Sequence, residues 1–277
     1  MTGLLPTNQI WRYHHFETFL RDVEALGVHD IDLWLCNQHV NIDAHDIYNL
    51  ADVKAACERH GVRVSTLTPE QGNPKAYNIA SDDGRVLELT GRYYAQVLRL
   101  AGELGCGRVS MNAGWFLGDG SREEAWDRMV RAIGTICDMA AADGVAVCVE
   151  PLTYKPWRLV CTMGDMKRLV GDVGRENLYV TVDTGTVVRN GELVESYLET
   201  FGRKIGYCHL TNCNPAEFAH LGWADDAGTL DGRQLLSMMR THGYRGDYAL
   251  EMTCSRYFQD PTAVLARSLG KLKGCGN

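Results

Sequence analysis

Four residues capable of binding a metal each close an apolar run in the second half of this 277-residue chain. Val145-Ala146-Val147-Cys148-Val149 ends on Glu150, and Tyr179-Val180-Thr181-Val182 ends on Asp183. Ile205-Gly206-Tyr207-Cys208 ends on His209, and Tyr248-Ala249-Leu250 ends on Glu251. Taken singly, a carboxylate in such a place could cap a helix or pair on the surface. Four in succession, on neighbouring elements, bring three carboxylates and one imidazole to a common point. Unpaired carboxylates repel one another and are costly to bury, and a divalent cation relieves that cost. Oxygen-rich ligation with one histidine suits Mn²⁺ first, then Mg²⁺ or Co²⁺, better than structural zinc, which favours thiolates.

The elements that would position these residues alternate along the chain. Short β-branched runs at Asp30–Cys36, Arg63–Thr68, Arg108–Met111, Ala146–Glu150, Leu178–Asp183, Ile205–His209 and Tyr248–Glu251 read as strands. An eighth strand, first in the chain, is placed at Thr7–Tyr13 to complete the count. Helices are predicted between them, over Phe16–Leu26, Leu50–His60 and Val86–Leu104, each followed by a glycine. Ser121 with Glu124 opens a helix whose Trp126, Met129, Val130, Ile133, Cys137 and Ala140 share one stripe. Thr162 with Asp165 opens the next, and Leu193–Phe201, Gly232–His242 and Pro261–Leu272 follow.

Strand followed by helix, eight times, predicts a (β/α)8 TIM barrel formed as a single domain over residues 1–277. An open doubly wound sheet is the competing arrangement, but Gln9–His15 holds no glycine for a phosphate-binding turn. In a parallel barrel the site lies at the C-terminal ends of the strands. Side chains alternate along a strand, so Val180 and Val182 face the helices while Thr181 and Asp183 face inward, and Glu251 faces inward beside an outward Leu250.

Composition narrows the partners. With 45% hydrophobic and 23% charged residues the chain can bury a full core, and its net charge of −7 without a basic run argues against nucleic acid. The ten cysteines form no CxxC pair, and their expected state is reduced thiols in a cytoplasmic protein. Met1 to Pro6 lack the pattern of a signal peptide, and no apolar stretch approaches the ~18 residues of a membrane span.

At the four strand ends the sequence resembles the sugar isomerase/epimerase superfamily of xylose-isomerase-like barrels, in particular its ketose 3-epimerases and fructoselysine 3-epimerases. The matching stretches are Glu150-Pro151-Leu152-Thr153, Val182-Asp183-Thr184, Cys208-His209-Leu210, Gly228-Thr229-Leu230-Asp231, Gly243-Tyr244-Arg245-Gly246 and Leu250-Glu251. Thr68-Pro69-Glu70 with Tyr77-Asn78 is similar to the fructosamine branch. The resemblance implies that Glu150, Asp183, His209 and Glu251 bind one Mn²⁺-like ion and that Glu150 and Glu251 are the acid/base pair. The implied chemistry is proton transfer next to a carbonyl, through a cis-enediolate whose charge the metal stabilises. A homo-oligomer, dimer or tetramer, is the expected assembly.

The chain departs from the ketose 3-epimerase pattern where that pattern grips a simple sugar. Pro156 stands in place of a second glutamate, Thr186 in place of a histidine, and Pro215 in place of an arginine. Those changes move the expected substrate from a plain ketose towards a conjugate. Candidate substrate-binding residues near the strand mouths are Glu70, Asn112, Trp115, Lys155, Arg158 and His220, with Trp34, Phe116, Trp157 and Arg189 close by. His14 and His15 read as a helix start and are left out of the metal set. Two other activities share the fold. One is a C-glycoside deglycosidase catalytic subunit, which would need a small partner subunit. The other is an AP-endonuclease-like repair enzyme, disfavoured by the single strand-end histidine and the negative charge.

Overall fold

The apolar runs form strands in a computed structural model, which describes residues 3–70 and 76–273. The strands are β1 (Leu4–Pro6), β2 (Asp30–Leu35), β3 (Arg63–Pro69), β4 (Arg108–Asn112), β5 (Ala146–Glu150), β6 (Leu178–Asp183), β7 (Ile205–His209) and β8 (Tyr248–Leu250). The helices are α1 (Phe16–Ala25), α2 (Leu50–Arg59), α3 (Gly84–Leu104), α4 (Arg122–Ala141), α5 (Met163–Val173), α6 (Thr184–Arg189), α7 (Val194–Phe201), α8 (Gly232–Thr241) and α9 (Pro261–Lys273). All strand pairs are parallel, in the order β1-β8-β7-β6-β5-β4-β3-β2. A parallel bridge between Thr7, just past β1, and Asp32 in β2 joins the two ends of that order. The sheet thus closes as a (β/α)8 barrel, not as the open sheet that competes with it.

The first strand corrects the expectation from sequence. It is Leu4–Pro6, and the stretch Gln9–Trp11 inside the expected Thr7–Tyr13 strand is a 3-10 turn. Three residues are too few to show a period of two, and the longer run read as β1 is apolar because Ile10 and Trp11 pack into the core. Helix α6 is the other departure. It follows β6 without a loop because the Asp183 side chain accepts from the backbone N–H of Thr186 and caps it.

Elsewhere local chemistry sets the elements as expected. Ser121 Oγ accepts from Glu124 N at 3.3 Å, and Thr162 with Asp165 forms a reciprocal capping box before α5. Gly105 ends α3 in the left-handed conformation at φ 65°, which only glycine adopts without strain. On α4, Trp126, Met129, Ile133, Cys137 and Ala140 are buried against the sheet, and Val130 is at the margin. Nine cysteines are buried free thiols, and Cys275 lies outside the described residues. Among the described residues no helix is long and apolar enough to cross a membrane.

The register brings Asp183 level with His209 and Asn112 level with Glu150, while Glu251 stands two residues past Ala249, the partner of His209. One layer below, Leu5, Cys148, Tyr207 and Ala249 fill the barrel interior. That layer also contains a polar group: Tyr207 Oη donates to Asp32 Oδ2 and Thr68 Oγ1 to Asp32 Oδ1, each at 2.7 Å and all buried. Gly206 in β7 leaves room for a neighbouring strand, since a Cβ there would lie 2.5 Å from Tyr179 Cβ.

Candidate metal centre

Four neighbouring strands, β5 to β8, deliver Glu150, Asp183, His209 and Glu251 to one point at the C-terminal mouth of the barrel. One ligand atom from each lies within 4.8 Å of the others, the arrangement a single cation requires. Asp183 and His209 are fully buried, whereas Glu150 and Glu251 keep 15% and 13% of their side chains exposed towards the mouth. Those two therefore meet whatever enters.

His209 carries the fit test for a metal. Its Nδ1 lies 2.8 Å from Glu150 Oε2 and 3.4 Å from Glu251 Oε2. Neither approach has hydrogen-bond alignment, and Nδ1 is buried with no partner. An orphaned buried ring nitrogen is uncommon and costs about 1–3 kcal/mol. A cation between Nδ1 and the carboxylates removes that cost and the carboxylate repulsion together. The other ring nitrogen, Nε2, sits 3.4 Å from Ser110 Oγ, the kind of second contact that orients a ligating imidazole. The residues fit a divalent ion.

The remaining contacts divide the carboxylate oxygens. Asp183 Oδ1 accepts from Thr186 N at 2.9 Å and from Thr211 Oγ1 at 2.6 Å, so that oxygen is structural. Its Oδ2 is 3.6 Å from His220 Nε2. His220 Nδ1 lies 3.1 Å from Glu251 Oε2, so this imidazole spans two of the four residues. Gln9 Nε2 donates to Glu251 Oε1. Glu251 thus has both oxygens engaged by side chains from the first and seventh loops.

The charges follow from these contacts. Before an ion binds, burial disfavours charge on His209 but the Glu150 and Glu251 carboxylates outweigh it and favour the protonated imidazole, so a bound ion would take the place of that proton. His220 is likewise raised, burial being overcome by Asp183 and Glu251. Burial pushes the Glu150 carboxyl up. For Glu251 the same burial is overcome by His220 and His209, which hold it well below the usual carboxylate range.

The candidate substrate residues are distributed around this centre. His220 is in direct contact with it. Arg158 bridges to the backbone of Trp115, feels the charge of Glu150, donates from Nη1 to Thr153 O at 2.6 Å, and buries an Nε without a partner. Trp115 O accepts from Asn78 Nδ2. Asn112 ends β4 beside Glu150, but its Oδ1 accepts from Gly114 N and so shapes the turn. Glu70 lies directly beyond β3 near Tyr93 of α3. Lys155 stands further out, against the Trp157 and Phe218 rings. Trp34 is covered by the Arg12 guanidinium at 4.7 Å, and Phe116 N donates to Trp157 O. His15 precedes α1 and His14 contacts Phe258 O, and neither belongs to the cluster of four. Gln9 is the residue sequence reasoning missed. With the first strand at Leu4–Pro6, a polar residue three positions past its end would have marked it as a mouth residue.

A closed parallel barrel with a carboxylate-rich cluster at its strand ends is the class that fold and site define. Within that class the chain belongs to the xylose isomerase-like TIM barrel family, whose model matches residues 20–275. Among curated proteins it is similar to fructoselysine 3-epimerase from Escherichia coli O157:H7, 23% identical over 264 residues covering 93% of this chain and 92% of that one. Among solved structures it is similar to a D-tagatose 3-epimerase-like protein (TM-score 0.80, 18% identity, 99% of each chain covered). It is also similar to a 3-keto-D-glucoside 4-epimerase from E. coli (TM-score 0.79, 17% identity, 99% of this chain and 100% of that one).

Proposed function

We propose that this chain is a divalent-metal-dependent epimerase or isomerase acting on a ketose or ketose conjugate. The observation that carries the reading is the pair Glu150 and Glu251, whose carboxylates both converge on His209 Nδ1, at 2.8 and 3.4 Å, while keeping 15% and 13% of their side chains exposed. Inverting a carbon next to a carbonyl requires a base on one face and an acid on the other. Two carboxylates flanking one point supply both, and each can serve in either direction. The relatives named fructoselysine 3-epimerase and 3-keto-D-glucoside 4-epimerase agree with a ketose or keto-sugar substrate.

Glu150, Asp183, His209 and Glu251 would hold the ion, with Mn²⁺ the first choice and Mg²⁺ or Co²⁺ compatible with the same oxygen-rich set. When bound, it supplies Lewis acidity for the negative charge that develops on the substrate oxygens. The chain's own residues do the rest. Asp183 is fixed by its bonds to Thr186 and Thr211, and Glu251 is fixed by Gln9 and His220. His220, Arg158 and Trp115 line the sugar side, and Glu70 and Lys155 stand at greater reach.

The test is proton exchange. With Mn²⁺ and a panel of ketoses, fructosamines and other keto-sugar conjugates in D2O, NMR should show deuterium entering a sugar carbon next to the carbonyl. Glu150→Gln and Glu251→Gln should each slow that exchange by at least ~100-fold, the lower range for a positioned acid or base. Exchange that proceeds without any divalent ion, or at wild-type rate in both variants, would defeat the proposal.

A further inference from the structure

Arg12, at the end of the 3-10 turn after β1, is held rigidly yet has no carboxylate partner among the described residues. Its Nε donates to Gln9 O at 2.8 Å. Its guanidinium lies 4.7 Å from the centre of the Trp34 ring and 5.1 Å from that of Phe258, beyond β8. Stacking of this kind uses the face of a guanidinium and leaves its edge N–H groups to bond elsewhere. Neither Nη group has a hydrogen bond among the described residues, and neither is sealed from solvent. Arg158 and Arg189, the arginines whose charges reach Glu150 and His220, instead bury guanidinium N–H groups away from solvent.

Printed contacts tie this guanidinium to the mouth and to the metal centre. The fully buried Asn8 fixes the loop to β2: its Oδ1 accepts from Trp34 N at 2.7 Å and its Nδ2 donates to Trp34 O at 2.9 Å. Trp34 faces the barrel interior, because Asp32, two positions before it, bonds Tyr207 there while Leu33 and Leu35 pack in the outer core. Gln9, whose carbonyl holds Arg12, donates through Nε2 to Glu251 Oε1. One glutamine residue therefore separates the guanidinium from a carboxylate of the centre, at most roughly 13 Å along the contacts. A six-carbon chain with a hydrogen bond at each end spans about 12 Å. The interval suits a hexose-sized molecule.

We propose that Arg12 binds an anionic group at the end of the substrate remote from the reacting carbon, so that the sugar is an acid bearing a carboxylate or a phosphate. The inference rests on the reading of the metal centre given above. An anion that enters beside three carboxylates needs a fixed positive charge to offset their repulsion. The edge of a guanidinium meets a carboxylate or a phosphate with two parallel hydrogen bonds, which fixes orientation as well as affinity. Arg12 thereby determines which end of the sugar faces Glu150 and Glu251. A purely structural Arg12 would act only by bracing Gln9, and through it Glu251, and its loss would affect every substrate alike.

The test needs no turnover. Calorimetry on the full chain with Mn²⁺ compares three six-carbon chains that have no ketone and cannot react: glucitol, gluconate and glucitol 6-phosphate. At least one anion should bind about tenfold or more tighter than glucitol, and the tighter of the two names carboxylate or phosphate as the group. Arg12→Met should abolish that preference, and Arg12→Lys should keep part of it. Deuterium exchange gives a second readout: Arg12→Met should lower the ratio of kcat/KM for an acidic over a neutral ketose by roughly 10- to 100-fold. Equal binding of the three polyols, binding of none, or an anion preference that survives in Arg12→Met would overturn the proposal. Proton exchange on a neutral ketose would then still stand, so the two readings fail separately. A loss in Arg12→Met that falls equally on acidic and neutral sugars would assign Arg12 to bracing Gln9 and overturn it as well.

Discussion

Replacing Gln9 with leucine removes a donor from Glu251 while keeping nearly the same side-chain bulk. Gln9 is 5% exposed and its Nε2 donates to Glu251 Oε1, whereas Oε2 faces His220 and His209. In the variant Oε1 is left without that donor in a largely buried place. A hydrogen bond to a charged group contributes about 1.5–3 kcal/mol. If Glu251 both holds the ion and exchanges the substrate proton, that loss appears as a fall of roughly 10- to 150-fold in kcat/KM. Gln9 reaches the chemistry through Glu251, so the fall should be accompanied by a weaker apparent affinity for Mn²⁺. The assay is deuterium exchange at sugar concentrations well below KM, with the Mn²⁺ dependence of the rate measured alongside and folding followed by circular dichroism. Gln9→Glu should be worse than Gln9→Leu because it sets a fourth carboxylate beside three others. A folded Gln9→Leu protein with wild-type exchange and wild-type Mn²⁺ dependence would refute the assignment of Gln9 as a positioning residue.

Three further outcomes follow from the scaffold. Tyr207→Phe strips Asp32 Oδ2 of a buried donor at 2.7 Å, so it should cost about 1–3 kcal/mol, read as a Tm lower by roughly 2–6 °C; an unchanged Tm would contradict the role of that pair. Gly206→Ala places a Cβ 2.5 Å from Tyr179 Cβ and should destabilise by about 1–3 kcal/mol in urea, whereas a neutral result would show that β6 can move aside. His60 bonds Glu24 and Glu17, at 2.7 and 2.8 Å, and its pKa is raised above 6.5 chiefly by Glu24. A raised folded pKa gives stabilisation that is complete below pH about 6.5 and lost as pH rises through the folded value. His60→Ala should therefore lower the urea midpoint at pH 5.5–6 and have little effect at pH 9; the reverse pH trend would contradict the sign. Surface pairs of this kind contribute roughly 0.2–1 kcal/mol.

Much of the architecture was legible because each half of the barrel's logic leaves a local mark. Runs such as Ala146–Glu150, Leu178–Asp183 and Ile205–His209 have the same bounds in the structure as in the sequence pattern, since each is a short, largely apolar run that closes on a polar residue. The cluster of four could be read because those termini fall on consecutive strands. What could not be read depends on short or non-local features. Leu4–Pro6 is a three-residue strand held by pairing with β8, more than 240 positions away. Gln9 was hidden by the misplaced strand. His220 is expected from the sequence as a substrate-binding loop residue, but no local pattern shows that the loop folds back to set its imidazole between Asp183 and Glu251. Helix α6 is not legible because capping and metal binding read as alternatives at Asp183, whereas one oxygen caps and the other faces the centre.

The central claim is that Glu150, Asp183, His209 and Glu251 form one site for one divalent ion. Equilibrium dialysis of the metal-stripped chain against Mn²⁺, with bound ion counted by electron paramagnetic resonance, tests it most directly. The account predicts one ion per wild-type chain and, in His209→Gln, an affinity weaker by at least ~100-fold, since even outer-shell changes cost about 10- to 100-fold. Stoichiometric binding of unchanged strength in His209→Gln, or no binding by the wild-type chain, would contradict it.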